Sequence, residues 1–182
     1  MRFVDFLRAA VLLFAGSANA LAIVVLVGSD PGRDRLELYL AFGWWVVAAA
    51  IGGVLGRRPA AFAGVARLMT TARAAPALPE GAPGTILINR LWTLATFTLL
   101  AGGAGIVFPE VAAIAVGFPL IAAFGIRKQA GAVQAVEERD GVRFYLDRTG
   151  ALRPTELIRT PGLKRWVDQA ESVPVSERDP AP

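Results

Sequence analysis

Residues Val11–Gly28 read VLLFAGSANALAIVVLVG, a run with no charged side chain. A helix that crosses a bilayer needs about 20 mostly apolar residues, because the hydrocarbon layer is about 30 Å thick and each residue rises about 1.5 Å. Three further runs of this kind follow at Leu38–Gly56, Ile86–Phe108 and Val111–Ile126. Lipid offers no water to backbone N–H and C=O groups, so each run is predicted to be helical. The expected fold class is an all-α membrane protein, a bundle of four transmembrane helices.

The expected spans are 9–28, 37–56, 86–107 and 110–127, within a membrane domain of residues 1–128. A cytoplasmic loop, 57–85, joins the second and third spans. A cytoplasmic tail of residues 129–172 follows, and 173–182 is charged, Pro-rich and expected to be disordered. Of the 182 residues 54% are hydrophobic, and the mean hydropathy is +0.50. That excess sits in the four runs, which leaves no room for a large soluble domain.

The chain has no Cys and no His. Disulfides, thiolate nucleophiles, structural zinc and the usual proton shuttle near neutral pH are thereby removed. No P-loop, dinucleotide fingerprint, nucleophile elbow or HExxH is present. Glu137, Glu138 and Asp140 form the densest carboxylate group, but Arg139 lies among them and they read as a solvated tail. No catalytic, cofactor-binding or metal-binding residue is therefore expected, and the chain does not read as an enzyme. Arg143, Phe144, Tyr145, Arg148 and Arg153 could form a nucleic-acid platform, but acidic neighbours argue for anionic lipid instead.

Lys and Arg accumulate in cytoplasmic loops. Arg2 and Arg8 precede the first run. Arg57, Arg58, Arg67 and Arg73 lie between the second and third, and Arg127 and Lys128 follow the fourth. The connection at Pro109-Glu110 has no basic residue, and Arg33 and Arg35 are accompanied by Asp30, Asp34 and Glu37. This pattern predicts a multi-pass protein of the cell membrane with both termini in the cytoplasm. Ala18-Asn19-Ala20 resembles a signal-peptidase site, but the apolar run continues through Val27, which favours an uncleaved helix.

Several residues are expected to hold helices together. Ala48, Gly52 and Gly56 recur every four positions on one face, the small-xxx-small pattern that lets backbones approach. Gly102, with Ala101, Gly103 and Gly105, gives the third span a similar patch. Such a seam could join helices within one chain or between two chains. Arg57, Arg58, Arg90, Trp92, Arg127 and Lys128 are the expected interface anchors. Trp44 and Trp45 lie too deep for that role and are expected to pack against protein. Pro119 should kink the fourth span.

Residues 60–74 read as a basic amphipathic helix, with Phe62, Val65, Leu68 and Met69 on one face. It could lie in the membrane interface or pack on the protein. Residues 74–84, with three prolines, read as an extended connector. In the tail, 142–147 alternates like a strand and 156–159 is a candidate partner, but a lone hairpin is marginal in water and needs another surface.

Abundant packing signal without catalytic signal points to a structural or accessory subunit of a membrane assembly. Its expected partners are membrane lipids and either another membrane protein or a second copy, with no nucleic acid. The alternative is a carrier or channel for a small neutral solute, lined by Ser17, Asn19, Tyr39 and Thr96. A lipid-modifying enzyme using interfacial Arg and Glu is the third reading.

Overall fold

The computed structural model describes residues 1–29, 35–74, 83–146 and 156–161. Those residues form α1 (Phe3–Gly28), α2 (Arg35–Leu55), α3 (Pro59–Thr70), β1 (Arg73–Ala74) and α4 (Pro83–Val107). Then come α5 (Pro109–Ala115), α6 (Gly117–Asp140), β2 (Val142–Leu146) and β3 (Leu157–Pro161). Four helical units are long and apolar enough to cross a membrane: α1, α2, α4 and the composite α5–α6.

Ala18 and Leu21 of α1, Ala101 of α4 and Ala115 and Val116 of the last span form one small shared core, with Trp45 of α2 packed against it. α1 packs on α6 and α4, α2 packs on α6, and α5 fits against α1 and α4. The pair formed by α1 and the last span is therefore the spine, with α2 and α4 on its flanks. Ser17 meets Thr98, Leu21 meets Gly102 and Gly28 meets Gly105, so α1 and α4 run the same way. Trp44 meets Gly117 and Gly56 meets Gly125, so α2 runs with α5–α6, in the opposite sense.

A single residue, Phe108, separates α4 from α5, and Pro109 opens the new helix where a missing N–H costs nothing. The last span is interrupted at Val116, one turn before Pro119. Proline has no N–H for the carbonyl four residues back, here that of Ala115, and its ring crowds that turn. At the other end Gly141 stops α6 in the left-handed conformation, φ 60°, and its N–H donates to the Glu137 carbonyl.

At this tail end the chain builds a compact module. β3 pairs antiparallel with β2, from Val142↔Pro161 to Leu146↔Leu157, and parallel with β1 at Arg73↔Ile158. Val142, Phe144 and Leu146 face inward, onto Phe3, Val4 and Leu7 of α1 and Val133 of α6. The N-terminus adds a further strip: Leu146 N–H donates to the Met1 carbonyl at 3.1 Å, and Arg2 bridges Tyr145. These contacts are the additional surface that the hairpin required. α3 joins the same core through Val65, with Leu68 and Met69 packed beside it, and Gln129 Nε2 donates to the Ala61 carbonyl. Of its two readings, packing on the protein is the one observed.

The sequence also predicts turns at Ser29-Asp30-Pro31-Gly32 and Thr149-Gly150 and a helical stretch over Leu163–Glu171; these, with the 74–84 connector and the segment 173–182, lie wholly or mostly outside the described residues.

Candidate functional site

The small-residue seam lies between α2 and α6 of one chain. Ala48 is fully buried. A Cβ added to Gly52 would stand 2.6 Å from the Ile121 carbonyl oxygen and 2.8 Å from its Cα. One added to Gly56 would stand 3.0 Å from the Cα of Gly125. Backbone meets backbone at both points, so neither position has room for a side chain.

In the third span the glycines of the expected patch are not equivalent. A Cβ on Gly102 would meet only Leu21 Cδ2, at an ordinary 3.7 Å. The close approach is at Gly105, where a Cβ would lie 2.5 Å from Ala112 Cβ and 3.2 Å from Val24 Cγ1. Two elements, α5 and α1, converge there because the turn at Phe108 folds α5 straight back.

The tryptophan pair reaches the interrupted span. Trp45 Nε1 donates to the Ala113 carbonyl at 2.9 Å, and Trp44 Nε1 to the Ile114 carbonyl at 3.1 Å. These carbonyls lie in the turn just before the break, where the helical ladder is disturbed and lipid would supply no donor. Gly117 makes room for the ring, since a Cβ there would lie 2.5 Å from Trp44 Nε1. Sequence reading did not find Gly117 or Gly125. Neither belongs to a repeating motif, and each matters because of what another helix places opposite it.

The four residues offered as a solute path do not share a lining. Ser17 bonds Thr98, whose hydroxyl also donates back to the Leu94 carbonyl at 2.8 Å. Ser17 and Thr96 border an apolar groove of about 730 Å³ between α1 and α4. Asn19 is exposed and its amide donates to the Ala15 carbonyl of its own helix at 2.9 Å. Tyr39 is 74% exposed on α2. Glu37 borders another cavity, of about 350 Å³, together with Glu110, Ser29 and Trp44.

The basic residues proposed as anchors all lie toward the tail end. Arg57 and Arg58 are exposed just past α2, Arg127 and Lys128 are exposed on α6, and Trp92 is 46% exposed on α4. Arg90 is half-buried on α4.

Glu137 departs from the sequence reading. Its side chain is 4% exposed, and it accepts from Arg2 Nη2 at 2.8 Å and from the Phe144 N–H at 3.0 Å. Glu138, Arg139 and Asp140 do face water. The difference is helical phase: Glu137 continues the face of Ala130 and Val133, both buried. That spacing was available in the sequence. The Glu137 hydrogen bond raises the Arg2 guanidinium further above its usual pKa, opposed by burial. Glu137 thus holds the N-terminus, α6 and β2 together.

Among the described residues no three carboxylates meet in a way that could hold a metal ion. No family model matches the chain, and no curated protein or solved structure matches it.

Proposed function

We propose that this chain is an integral, multi-pass protein of the cell membrane that acts as a structural or accessory subunit. In this reading the N-terminus and the tail module are cytoplasmic. The supporting observation is the distribution of apolar side chains. Val46, Leu99, Leu100 and Ile106 are each at least 69% exposed on helices whose buried residues, Ile86 apart, are Ala and Gly. Water would not tolerate that surface as a monomer, whereas lipid is as apolar as Leu and loses nothing by contact with it.

Orientation rests on charge. Arg2, Arg8, Arg57, Arg58, Arg67, Arg73, Arg127 and Lys128 gather at the tail end, while the described far end offers Arg35, Glu37 and Glu110. The positive-inside bias therefore directs the tail end to the cytoplasm. The accessory role rests on α2 and α4, whose outer faces are left to lipid or to a neighbour's helices. The carrier reading gains no support, because its polar residues are dispersed or already bonded.

The natural absence of cysteine makes the test clean. The chain is expected to stay with membranes through alkaline carbonate and to be released by detergent. Glu110→Cys should react with an impermeant maleimide on intact cells, and Thr71→Cys should react only after lysis. The reverse labelling would overturn the orientation, and release by carbonate would overturn the membrane reading. Crosslinking in native membranes should then capture a repeated neighbour of α2 or α4. Recovery of the bare monomer alone would sink the accessory role.

A further inference from the structure

We infer that the cleft between α1 and α6 at the tail end is a binding site for an anionic phospholipid, with the headgroup phosphate between Arg8 and Arg127. This rests on the membrane reading above and adds a defined ligand class to one place on the surface.

The cleft, of about 410 Å³, is lined by Arg8, Val11 and Leu12 of α1 and by Arg127, Ala130 and Gln134 of α6. Two guanidinium groups from different helices therefore border one cavity, and no carboxylate lines it. Arg8 is steadied by a 2.6 Å hydrogen bond from Nη2 to Gln134 Oε1. The nearest carboxylate in that network, Glu138, is reached only through the other end of the same amide, at 2.8 Å from Gln134 Nε2. Arg127 makes no hydrogen bond or ion pair among the described residues. Two like charges facing one space repel each other unless an anion sits between them, and Arg is suited to phosphate because its donors form a planar fork.

The rest of the occupant is set by position. Arg8 lies just before the apolar run Val11–Gly28 and Arg127 just after Val111–Ile126, which in the membrane reading is the level of lipid headgroups. Leu12 borders both this cleft and the apolar groove between α1 and α4, which Leu13, Leu91 and Leu99 also line. A bound anion would thus have an apolar trough beginning at its side. That combination fits a phosphate carrying acyl chains better than free phosphate. Gly131 opens the space, since a Cβ there would meet nothing within 4 Å.

The test is native mass spectrometry of the full chain in detergent micelles, titrated with phosphatidylglycerol, phosphatidylcholine of the same acyl chains, or inorganic phosphate. Phosphatidylglycerol should be retained in preference, and the R8Q/R127Q pair should weaken that preference by about 30-fold, the size expected of two interfacial arginines. Arg139→Gln with Arg159→Gln removes equal charge from exposed positions of the tail module, outside the cleft, and should change it by less than about 2-fold. Gly131→Leu keeps every charge, fills the cleft and should lower binding like the double variant, which covers the case in which R8Q/R127Q does not fold. Equal retention of both lipids, an unaltered preference in Gly131→Leu, or full displacement by inorganic phosphate at equal concentration would overturn the inference. None of these outcomes alters carbonate resistance, which belongs to the membrane reading.

Discussion

The spanning half and the tail module of this chain obey opposite packing rules. Between the long helices the buried residues are mostly small: Ala48, Gly52, Ala101, Gly105, Ala112 and Ala115. Large apolar side chains such as Leu12, Leu99 and Ile106 face outward. In the module the large ones go in, namely Phe3, Val4, Leu7, Phe144, Leu146 and Leu157, and the charged groups go out except Glu137, which is paired with Arg2. One chain, folded once, has two interiors. In the membrane reading proposed above, the cause is the solvent on the other side. In water the outward transfer of a Leu costs about 1.5–3 kcal/mol, so the module hides it. In lipid that cost vanishes, and what remains to hold helices is close contact and hydrogen bonding, which small residues permit.

The comparison breaks most severely at the seam. Gly52→Leu would drive a side chain into the backbone of Ile121, 2.6 Å from where its Cβ must sit. We expect loss of the monodisperse folded species in detergent, a destabilisation of about 3 kcal/mol or more. A monodisperse Gly52→Leu protein with unchanged melting would refute the α2–α6 contact.

Next in size is the module. Leu146→Ala empties a site only 1% exposed and should cost about 3 kcal/mol in reversible unfolding. Leu99, 76% exposed on α4, is its control. Leu99→Ala in micelles should shift stability by less than about 0.5 kcal/mol. Similar losses at both positions would erase the distinction between the two interiors.

Smaller still is Glu137→Ala. It leaves the Phe144 N–H without its acceptor and Arg2 without its counter-charge. Loss of a fully buried pair partner costs about 3–5 kcal/mol, but Arg2 is 37% exposed and water screens it, so about 2 kcal/mol is expected. Proteolysis should reach the N-terminus of that variant sooner than in the parent. Equal protection would show that the ion pair does not hold the strip. Least affected should be Gly102→Ala, within about 0.5 kcal/mol, because its Cβ meets only a flexible Leu21 methyl at 3.7 Å. A loss comparable to that of Gly52→Leu would restore Gly102 to the seam.

The module also bears on the first helix. Cleavage after Ala20 would remove Phe3, Val4 and Leu7 from its core, together with the Arg2 partner of Glu137. The purified protein is therefore expected to retain Arg2, Phe3, Val4 and Leu7, as N-terminal sequencing would show. A mature chain beginning at Leu21 would be incompatible with this core.

Length and hydropathy, read locally, determined the four apolar helices and the strands of the tail, because each depends on residues a few positions apart. The face formed by Ala48, Gly52 and Gly56 was legible for the same reason. What lies opposite that face was not, since nothing in α2 says that Gly125 and Ile121 will meet it. The tertiary structure alone decided that Gly105 rather than Gly102 takes the close approach, and that Trp44 and Trp45 serve the carbonyls before the break. It likewise brought Arg2, 135 residues away along the chain, to the inward-facing Glu137. Periodicity reports which side of a helix is apolar, but hydrogen bonds and steric contacts between distant segments arise only once those segments share a place in space.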